Sequence, residues 1–452
     1  MDDNKDLQAL LSDPKKALLH MALPLLLTYL VARLQTFIDS VWCAGLGPDP
    51  LSAIAIAGPM YRIIISVGLA IGVGASAAIA RNLGASNRDG ADRSASHSII
   101  VALILSMALM PVFYLAAPFV ISLSGGGYNV GLTMDYVMPF IICTLPLTVN
   151  GLLTGLFRGE GAARKSTVIS VSASLTNMVL DPIMIYGLDM GVVGASWATC
   201  ISFIIATAAG WIWYRNGSSY VTPAFRGFGF DVPILKDLGI LSIPLALESV
   251  LASLLIAPEQ GLVASCGGSD GLVVYINSFS FIDLVLIPAT AIAAALIPVV
   301  SAQMGQRQPE KVVSTFRYSA KIITILGVAS GLLLFVSADL LIGIYTYSEG
   351  MSPLHDEMVL ALRIYCVVPL LNGLMRLGTS MIQAMRRAVF STIVMFSREL
   401  LFLAFFWFAS QISMTAIYWS VDLTNLIMMP AILMIACMVL RNYLRSESIR
   451  TA

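Results

Sequence analysis

The sequence predicts an all-α polytopic membrane protein with twelve transmembrane helices in two six-helix lobes, related by a pseudo-two-fold axis along the membrane normal. The first of three observations is composition. Of the 452 residues, 58 % are hydrophobic and only 12 % are charged, about half of the roughly 25 % charged residues usual in a soluble domain. The other two are basic residues confined to alternate loops and a resemblance between the chain halves. The net charge of zero does not suggest a nucleic-acid partner.

Twelve apolar runs are long enough to cross a bilayer, which takes about 20 helical residues. Six precede a polar stretch at 215–231, the longest break and the natural linker. We therefore divide the chain into an N-lobe, residues 1–222, and a C-lobe, residues 223–452. The predicted spans are 17–44, 51–80, 94–122, 131–156, 166–187, 191–214, 234–264, 272–300, 312–338, 357–384, 388–410 and 413–440.

Basic residues alternate between these spans. Twenty of the 26 Lys and Arg residues lie in the two termini and in the loops on the same side, whereas the six loops on the other side contain none. Cytoplasmic loops are enriched in Lys and Arg, so we expect a multi-pass protein of the cell membrane with both termini in the cytoplasm. A missed or additional span would break this alternation.

The two halves repeat each other at an offset of 220 or 221 residues. Pro24 lies 15 residues before Asp39, and Pro244 lies 15 residues before Glu259. Each half contains an even number of spans, so the repeats are parallel, and a substrate site is expected near the cleft between two rocking lobes.

Polar residues interrupt the first, fifth and sixth spans at similar depths. Asn177 and Asp181 are four residues apart, on one face of a helix. At 1.5 Å per residue, Asp39 and Asp181 lie about 9 Å below the outer ends of their spans, and Thr199 about 12 Å below. Acids inside a membrane span usually face a cavity and are functional. These oxygen-bearing side chains suit a hard cation. Without one, two neighbouring carboxylates should retain a proton, so the chemistry permits Na⁺, H⁺ or both.

Several short motifs occur in an order and spacing that is more specific than any one of them. They are Pro24 with Asp39, Gly84 with Gly90 and Ala91, Arg158-Gly159-Glu160-Gly161, Asn177-x-x-x-Asp181-Pro182, and Gly191-Val192-x-Gly194-Ala195 with Thr199. Together they resemble the multidrug and toxic compound extrusion (MATE) transporters. The Asn/Asp pair resembles the DinF-like, largely prokaryotic branch of that family.

The resemblance implies a secondary active antiporter rather than an enzyme. Such a protein exports organic cations or amphiphilic drugs in exchange for Na⁺ or H⁺ by alternating access, needs no cofactor beyond that coupling ion, and is expected to act as a monomer in the lipid bilayer. It also implies that Pro24 is a hinge in the first span. The implied ion site, which would be a metal site if Na⁺ is coupled, consists of Asp39, Asn177, Asp181 and Thr199, and the substrate cavity is lined by Asn150 with Asp39 and Asp181.

The C-lobe offers weaker candidates. NorM-like members of the family carry acids in spans seven and ten. This chain has Glu259 in span seven but Asn372 at the second position, so Glu259 is only a candidate C-lobe site. Arg62 and Asp283 occupy matching positions, roughly 17 Å below the outer loops by helical rise. They either meet across the cleft as an inter-lobe pair or pair within their own lobes.

Other functions are open to this sequence. A lipid or lipid-linked-sugar flippase of the wider superfamily is the main alternative, although such proteins usually have basic cavities. An intramembrane aspartyl protease needs a glycine-framed catalytic Asp, and a channel needs a selectivity filter; neither is present. Asp39 and Asp181 have a structural interpretation as partners of Arg33 or Arg62. Glu248, Glu399 and Asp422 belong to no motif, and Arg398 beside Glu399 suggests a structural charge pair.

Overall fold

The computed structural model of the chain describes residues 3–125, 130–223, 225, 228–347 and 350–451. All regular structure in this part of the chain is helical. It forms two compact units, Met1–Leu254 with Ile297–Val312, and Leu255–Leu296 with Val313–Ala452. The helices are α1 (Asp3–Leu10), α2 (Pro14–Ala44), α3 (Pro48–Gly84), α4 (Arg88–Gly125), α5 (Val130–Ile142), α6 (Thr144–Gly159), α7 (Ala163–Pro182), α8 (Gly191–Arg215), α9 (Val232–Val285), α10 (Ile287–Gly305), α11 (Pro309–Gly343), α12 (His355–Ile364), α13 (Val368–Ala384), α14 (Ala388–Ser410) and α15 (Met414–Thr451).

The predicted polytopic fold is confirmed. Within the described ranges, eleven helices are long and apolar enough to cross a membrane, and α5 with α6, bent by 55°, supplies a twelfth span. Helix α9 turns at Gly268, where φ is 64°, inside the loop predicted between spans seven and eight. A positive φ is accessible to glycine at little cost because it has no Cβ.

Four predicted spans are broken rather than continuous: the eighth at Leu286 and the tenth at the 3-10 turn Tyr365–Val367, and the fourth and fifth in the first unit. The fourth bends at Cys143, between α5 and α6, where Pro139 and Pro146 flank the break. The fifth ends its α-helix at Pro182 and continues as a π-helical turn, Ile183–Gly187. Proline lacks an N–H and clashes with the preceding turn, so the local sequence explains the breaks in the fourth and fifth spans. Single π-turns often occur at functional sites.

Close backbone packing of α3 on α6 holds the first unit together. A Cβ added to Gly155 would lie 2.2 Å from the carbonyl oxygen of Gly72, and one added to Gly151 would lie 2.6 Å from the carbonyl carbon of Gly68. Small residues four apart on facing helices allow such an approach within a membrane. Asn150 lies next to Gly151 in the sequence, so the packing of α3 on α6 also determines where the Asn150 side chain lies.

The predicted repeat is visible in the backbone of two pairs of turns. After α3, Ser86 has a φ of 57°, and 221 residues later, after α10, Arg307 has a φ of 56°. After α6, Gly161 has a φ of 87°, and Arg386 has a φ of 62° after α13. Non-glycine residues rarely adopt positive φ, so its recurrence at equivalent helix ends supports a duplicated unit. The division at residues 222/223 stays a prediction.

The start of the linker is hydrogen-bonded to the end of α6. The buried Glu160, at the end of α6, accepts hydrogen bonds from the Ser219 hydroxyl (2.6 Å) and from the N–H groups of Tyr220 (3.0 Å) and Val221 (3.1 Å). Burial raises the pKa of Glu160 to about 7. Arg226, counted among the basic linker residues, lies outside the described residues.

Candidate functional site

Three helices bring the polar residues of the first unit together. Helix α2 packs on α7, and α7 packs on α8. Asp39 lies on α2, one turn beyond Gln35, while Asn177 and Asp181 are one turn apart on α7 and Thr199 lies on α8. Asn177 and Asp181 are each 1 % exposed. The structure thus places all four residues of the predicted ion site in one cluster.

A hydrogen-bond network with two amides at its centre connects the cluster. Gln35 Nε2 donates to Asp39 Oδ2 (3.4 Å) and to Asn177 Oδ1. Asn177 Nδ2 donates to Asp181 Oδ1 (3.0 Å) and to Thr199 Oγ1 (3.3 Å). Each acid therefore has one oxygen held by an amide on its own helix. Gln35 and Asn177 link the two helices directly.

The other oxygen of each acid faces a common space. Asp39 Oδ1 and Asp181 Oδ2 are buried and have no donor among the described residues, and the two carboxyl groups are close enough to interact electrostatically. No arginine is among the described groups that act on either carboxyl. Two carboxylates this close cannot both remain ionised in a poorly solvated place unless a cation or a proton lies between them.

The residues fit a sodium ion in part. Two carboxylate oxygens and the Thr199 hydroxyl are the hard ligands that such a cation prefers. No group of three or more His, Cys, Asp or Glu side chains suited to a metal occurs in the described chain, so neutral oxygens would have to complete the shell. Asn177 presents its nitrogen to Asp181 and Thr199, and as a ligand its amide would have to turn. A proton requires no such change.

A cavity of about 470 Å³ opens beside this cluster. Asp39, Asp181, Thr199 and Asn150 all line it, whereas Asn177 lies behind its wall. Asp39 and Asp181 are the charged residues in the described lining. Asn150 is held by a bond from its Nδ2 to Thr207 Oγ1 (3.2 Å). The predicted cavity residues therefore line one space, and its charge is acidic.

Three residues that line the cavity, Gln35, Tyr61 and Tyr136, are not in the predicted site. Gln35 could have been found, because its spacing to Asp39 equals that of Asn177 to Asp181. Tyr61 and Tyr136 also line the cavity and pack on Phe140, with ring centroids 4.6 and 5.4 Å away. No local pattern marks these tyrosines, since their position depends on how α3 packs on α5.

Helix α2 runs unbroken from Pro14 to Ala44 through the predicted hinge at Pro24. The Thr28 hydroxyl donates to the carbonyl oxygen of Pro24 (3.3 Å) and to Thr167 Oγ1 (3.0 Å) on α7. Because proline removes one helical hydrogen bond, this turn is the weakest point of α2. Bending at Pro24 stays a prediction.

The second unit does not repeat the acid pair. Glu259, on α9, accepts a hydrogen bond from the Tyr275 hydroxyl. Asn372, on α13, accepts one from Arg376 Nε (3.1 Å), so the second acid of a C-lobe site is replaced by an amide that contacts a cation. Arg398 donates to Glu399, as a structural pair would.

The predicted inter-lobe pair has one member in each unit. Arg62 lies on α3 and Asp283 on α9. Their pairing stays a prediction.

Comparison with known proteins places these features in context. The MatE family model matches residues 24–183 and 244–408, two segments that begin 220 residues apart, as the repeat does. The multidrug export protein MepA of Staphylococcus aureus is 23 % identical over 378 residues, which cover 82 % of this chain and 81 % of MepA.

Solved structures agree over nearly the whole chain. A crystal structure of MATE in complex with MaL6 has a TM-score of 0.93 and 28 % identity, covering 98 % of this chain and 99 % of that one. A MOP superfamily transporter from Pyrococcus furiosus, for which reverse polarity of the binding pocket suggests a different function, has a TM-score of 0.92 and 28 % identity, covering 97 % and 98 %.

Proposed function

This chain belongs to the MatE family and is a multidrug efflux transporter rather than an enzyme, and on that premise we propose that it is a secondary active antiporter. It exports organic cations or amphiphilic drugs in exchange for Na⁺ or H⁺ by alternating access. The observation that carries the proposal is the Asp39–Asp181 carboxyl pair, which supplies the charge of the described cavity lining.

Competition for these carboxyls couples drug to ion. A cationic drug in the cavity and a cation between Asp39 and Asp181 are drawn to the same negative charge. Antiport requires that the two ligands favour different states or exclude one another. Asn177, which holds both Asp181 and Gln35, would transmit occupancy from α7 to α2, where Pro24 provides the weak turn.

The side chains have distinct roles in this scheme. Asp39 and Asp181 bind the proton or the sodium ion. Gln35 and Asn177 orient one oxygen of each acid, and Thr199 offers a neutral oxygen. Asn150 and the Tyr61 and Tyr136 rings give the cavity a polar and an aromatic wall, since a ring face attracts a cation as well as apolar groups.

The alternative is a flippase for anionic lipids or lipid-linked sugars. The similarity to the Pyrococcus transporter, with its reverse pocket polarity, makes this a fair competitor. An anionic phosphate would need basic lining residues, and none lies in the described part of this cavity. Pocket charge therefore favours cationic substrates.

We further propose that the protein acts as a monomer in the cell membrane with both termini in the cytoplasm. All described lining residues of the cavity belong to the first unit of one chain, so a second copy is not needed to complete it. The orientation rests on the distribution of Lys and Arg.

Ethidium export from loaded proteoliposomes tests the function. A sodium gradient and a proton gradient are imposed separately, and each should be compared with vesicles that have neither. We expect one or both gradients to drive export above the protein-free background. Failure of both with several cationic drugs, together with gradient-independent lipid scrambling, would support the flippase instead.

A further inference from the structure

Helix α15 presents three polar residues on one face in the second unit. Tyr418, Asp422 and Asn425 are spaced by four and three residues, which puts them on neighbouring turns of the same side. All three are buried, with 0 %, 8 % and 0 % exposure. A polar stripe so deep in a transmembrane helix needs partners, because unsatisfied polar groups are costly there.

The outer two residues of the stripe are held. The Tyr418 hydroxyl donates to Glu357 Oε1 (2.8 Å), and its ring packs against Tyr365 at 5.9 Å. Asn425 Oδ1 accepts from Nε (3.4 Å) and Nη2 (3.3 Å) of Arg398. Both ends of the stripe are therefore fixed by neighbouring helices.

Asp422, between them, is not held. Both of its carboxyl oxygens are buried and have no donor among the described residues. It acts electrostatically on the Tyr365 hydroxyl, which is also buried without a described partner, and on the Cys366 thiol. A carboxylate in this setting would carry an uncompensated charge, whereas a carboxylic acid would be neutral and gain a donor.

Other ionisable groups around α15 are engaged elsewhere or exposed. On α12, Arg363 binds Asp339, His355 contacts Thr346, and Asp356 is exposed. On α13, Arg376 is exposed. On α14, Arg398 donates to Glu399 and Asn425. On α9, Glu259 accepts from Tyr275. The described groups facing Asp422 thus leave it without a counter-charge.

We propose that Asp422 is a second proton-binding carboxyl of this transporter, separate from the Asp39–Asp181 pair and protonated at neutral pH. A sodium ion would require several oxygen ligands, but the Asn425 oxygen is taken by Arg398, and the described neighbours on which Asp422 acts are one phenol and one thiol. The proton is the cation that a lone carboxyl can bind. The inference goes beyond the proposed function, since it concerns a site outside the cavity.

Infrared spectroscopy of purified protein tests this without a transport assay. The parent is Asp39→Asn/Asp181→Asn/Glu259→Gln/Glu160→Gln, which removes the cavity pair, the equivalent acid of the second unit and the buried Glu160, whose pKa of about 7 would leave a protonated carboxyl at neutral pH. At neutral pH it should show the carbonyl stretch of a protonated carboxylic acid, and the further change Asp422→Asn should remove that band. The band should vanish at alkaline pH in the parent and be insensitive to NaCl against KCl.

Two results would overturn the proposal. One is that Asp422→Asn removes the signal of an ionised carboxylate and leaves the carboxylic-acid band unchanged. The other is a protonated band that NaCl removes and KCl does not, which would mark a sodium site. If the Asp422→Asn protein does not purify as a folded monodisperse species, Tyr365→Phe in the same parent replaces it. In the Tyr365→Phe protein, the pH at which half of the carboxylic-acid band is lost should differ from that of the parent. An unchanged midpoint counts against Asp422 as the source of the band.

Export by Asp422→Asn in an otherwise native chain gives an independent readout. We expect drug export to persist with an altered pH profile, because one titrating group is removed while the cavity pair remains. An unchanged profile would show that the Asp422 proton has no part in transport. Failure of export in the native chain would instead concern the proposed function.

Discussion

The two halves of this chain have matching turns at equivalent helix ends but carry different acidic residues. The turns after α3 and α10 have matching positive φ at Ser86 and Arg307, and the family model matches once in each half. In the first unit two carboxyl groups from α2 and α7 face each other. In the second, Glu259 is bonded to a tyrosine and Asn372 to an arginine. A duplicated helical frame therefore leaves each half free to gain or lose an ion site by side-chain substitution alone.

The largest expected effect follows from removing one acid of the pair. Asp181→Asn and Asp39→Asn keep side-chain size but remove the charge, so export driven by an ion gradient should fall to the protein-free background. The folded protein should persist, because a neutral amide is cheaper than a carboxylate within a membrane. Ethidium efflux from proteoliposomes measures this, with protein incorporation determined in parallel. Full resistance of cells expressing Asp181→Asn at normal levels would contradict the assignment.

A pH effect on stability should distinguish the two equivalent helix ends. Glu160 follows α6, whereas Met385, which cannot titrate, follows α13. The pKa of Glu160 is raised from 4.5 to about 7, so the folded state binds the proton more tightly than the unfolded state. Stability should therefore decrease as pH rises from about 4.5 to about 7, by at most about 3 kcal/mol, and level off above.

Melting temperatures in detergent at several pH values measure this contribution. Glu160→Gln should remove that part of the pH dependence and leave a more nearly flat profile. Met385→Gln is the matched control at the other helix end, and its profile should keep the native slope. Equal slopes in the Glu160→Gln and native proteins would show that the carboxyl does not titrate in this range.

The fold was more predictable from sequence than the site was. Hydropathy and the charge alternation gave the spans because each depends on local composition. Asp39, Asn177, Asp181 and Thr199 were grouped by depth and by family resemblance. Gln35 and the two cavity tyrosines needed three-dimensional packing. The bend at Cys143 and the π-turn after Pro182 change helix direction over a few residues, which an average over a whole span conceals.

A smaller effect is expected at Gln35, which has no counterpart role in the second unit. Gln35→Ala removes the donor shared by Asp39 and Asn177. A hydrogen bond to a charged group contributes about 1.5–3 kcal/mol, so the apparent affinity for the coupling ion should weaken at least about tenfold while maximal export largely persists. Export measured against increasing ion concentration gives this value. Thr36→Ala, one position along, is the control: it also removes a polar cavity-lining side chain, but one whose described bond goes to the Ala32 carbonyl rather than to an acid.

The smallest expected effect is at Glu259. This variant tests most directly which half of the chain contains the coupling-ion site. Glu259 is the acid of the second unit at the position equivalent to Asp39, but its repeat partner is Asn372 and its described hydrogen-bond partner is Tyr275. Because Asn372 replaces the second acid and the neighbouring Glu399 carboxylate is paired with Arg398, Glu259→Gln should leave export within about twofold of native, a change of about 0.4 kcal/mol in activation free energy. The assay is the same ethidium efflux under the same gradients as for Asp39→Asn. A larger defect in Glu259→Gln than in Asp39→Asn would move the coupling site to the second unit. Near-native export in both variants would mean that neither repeat position carries the coupling ion, and the pair on α2 and α7 would then be a packing feature.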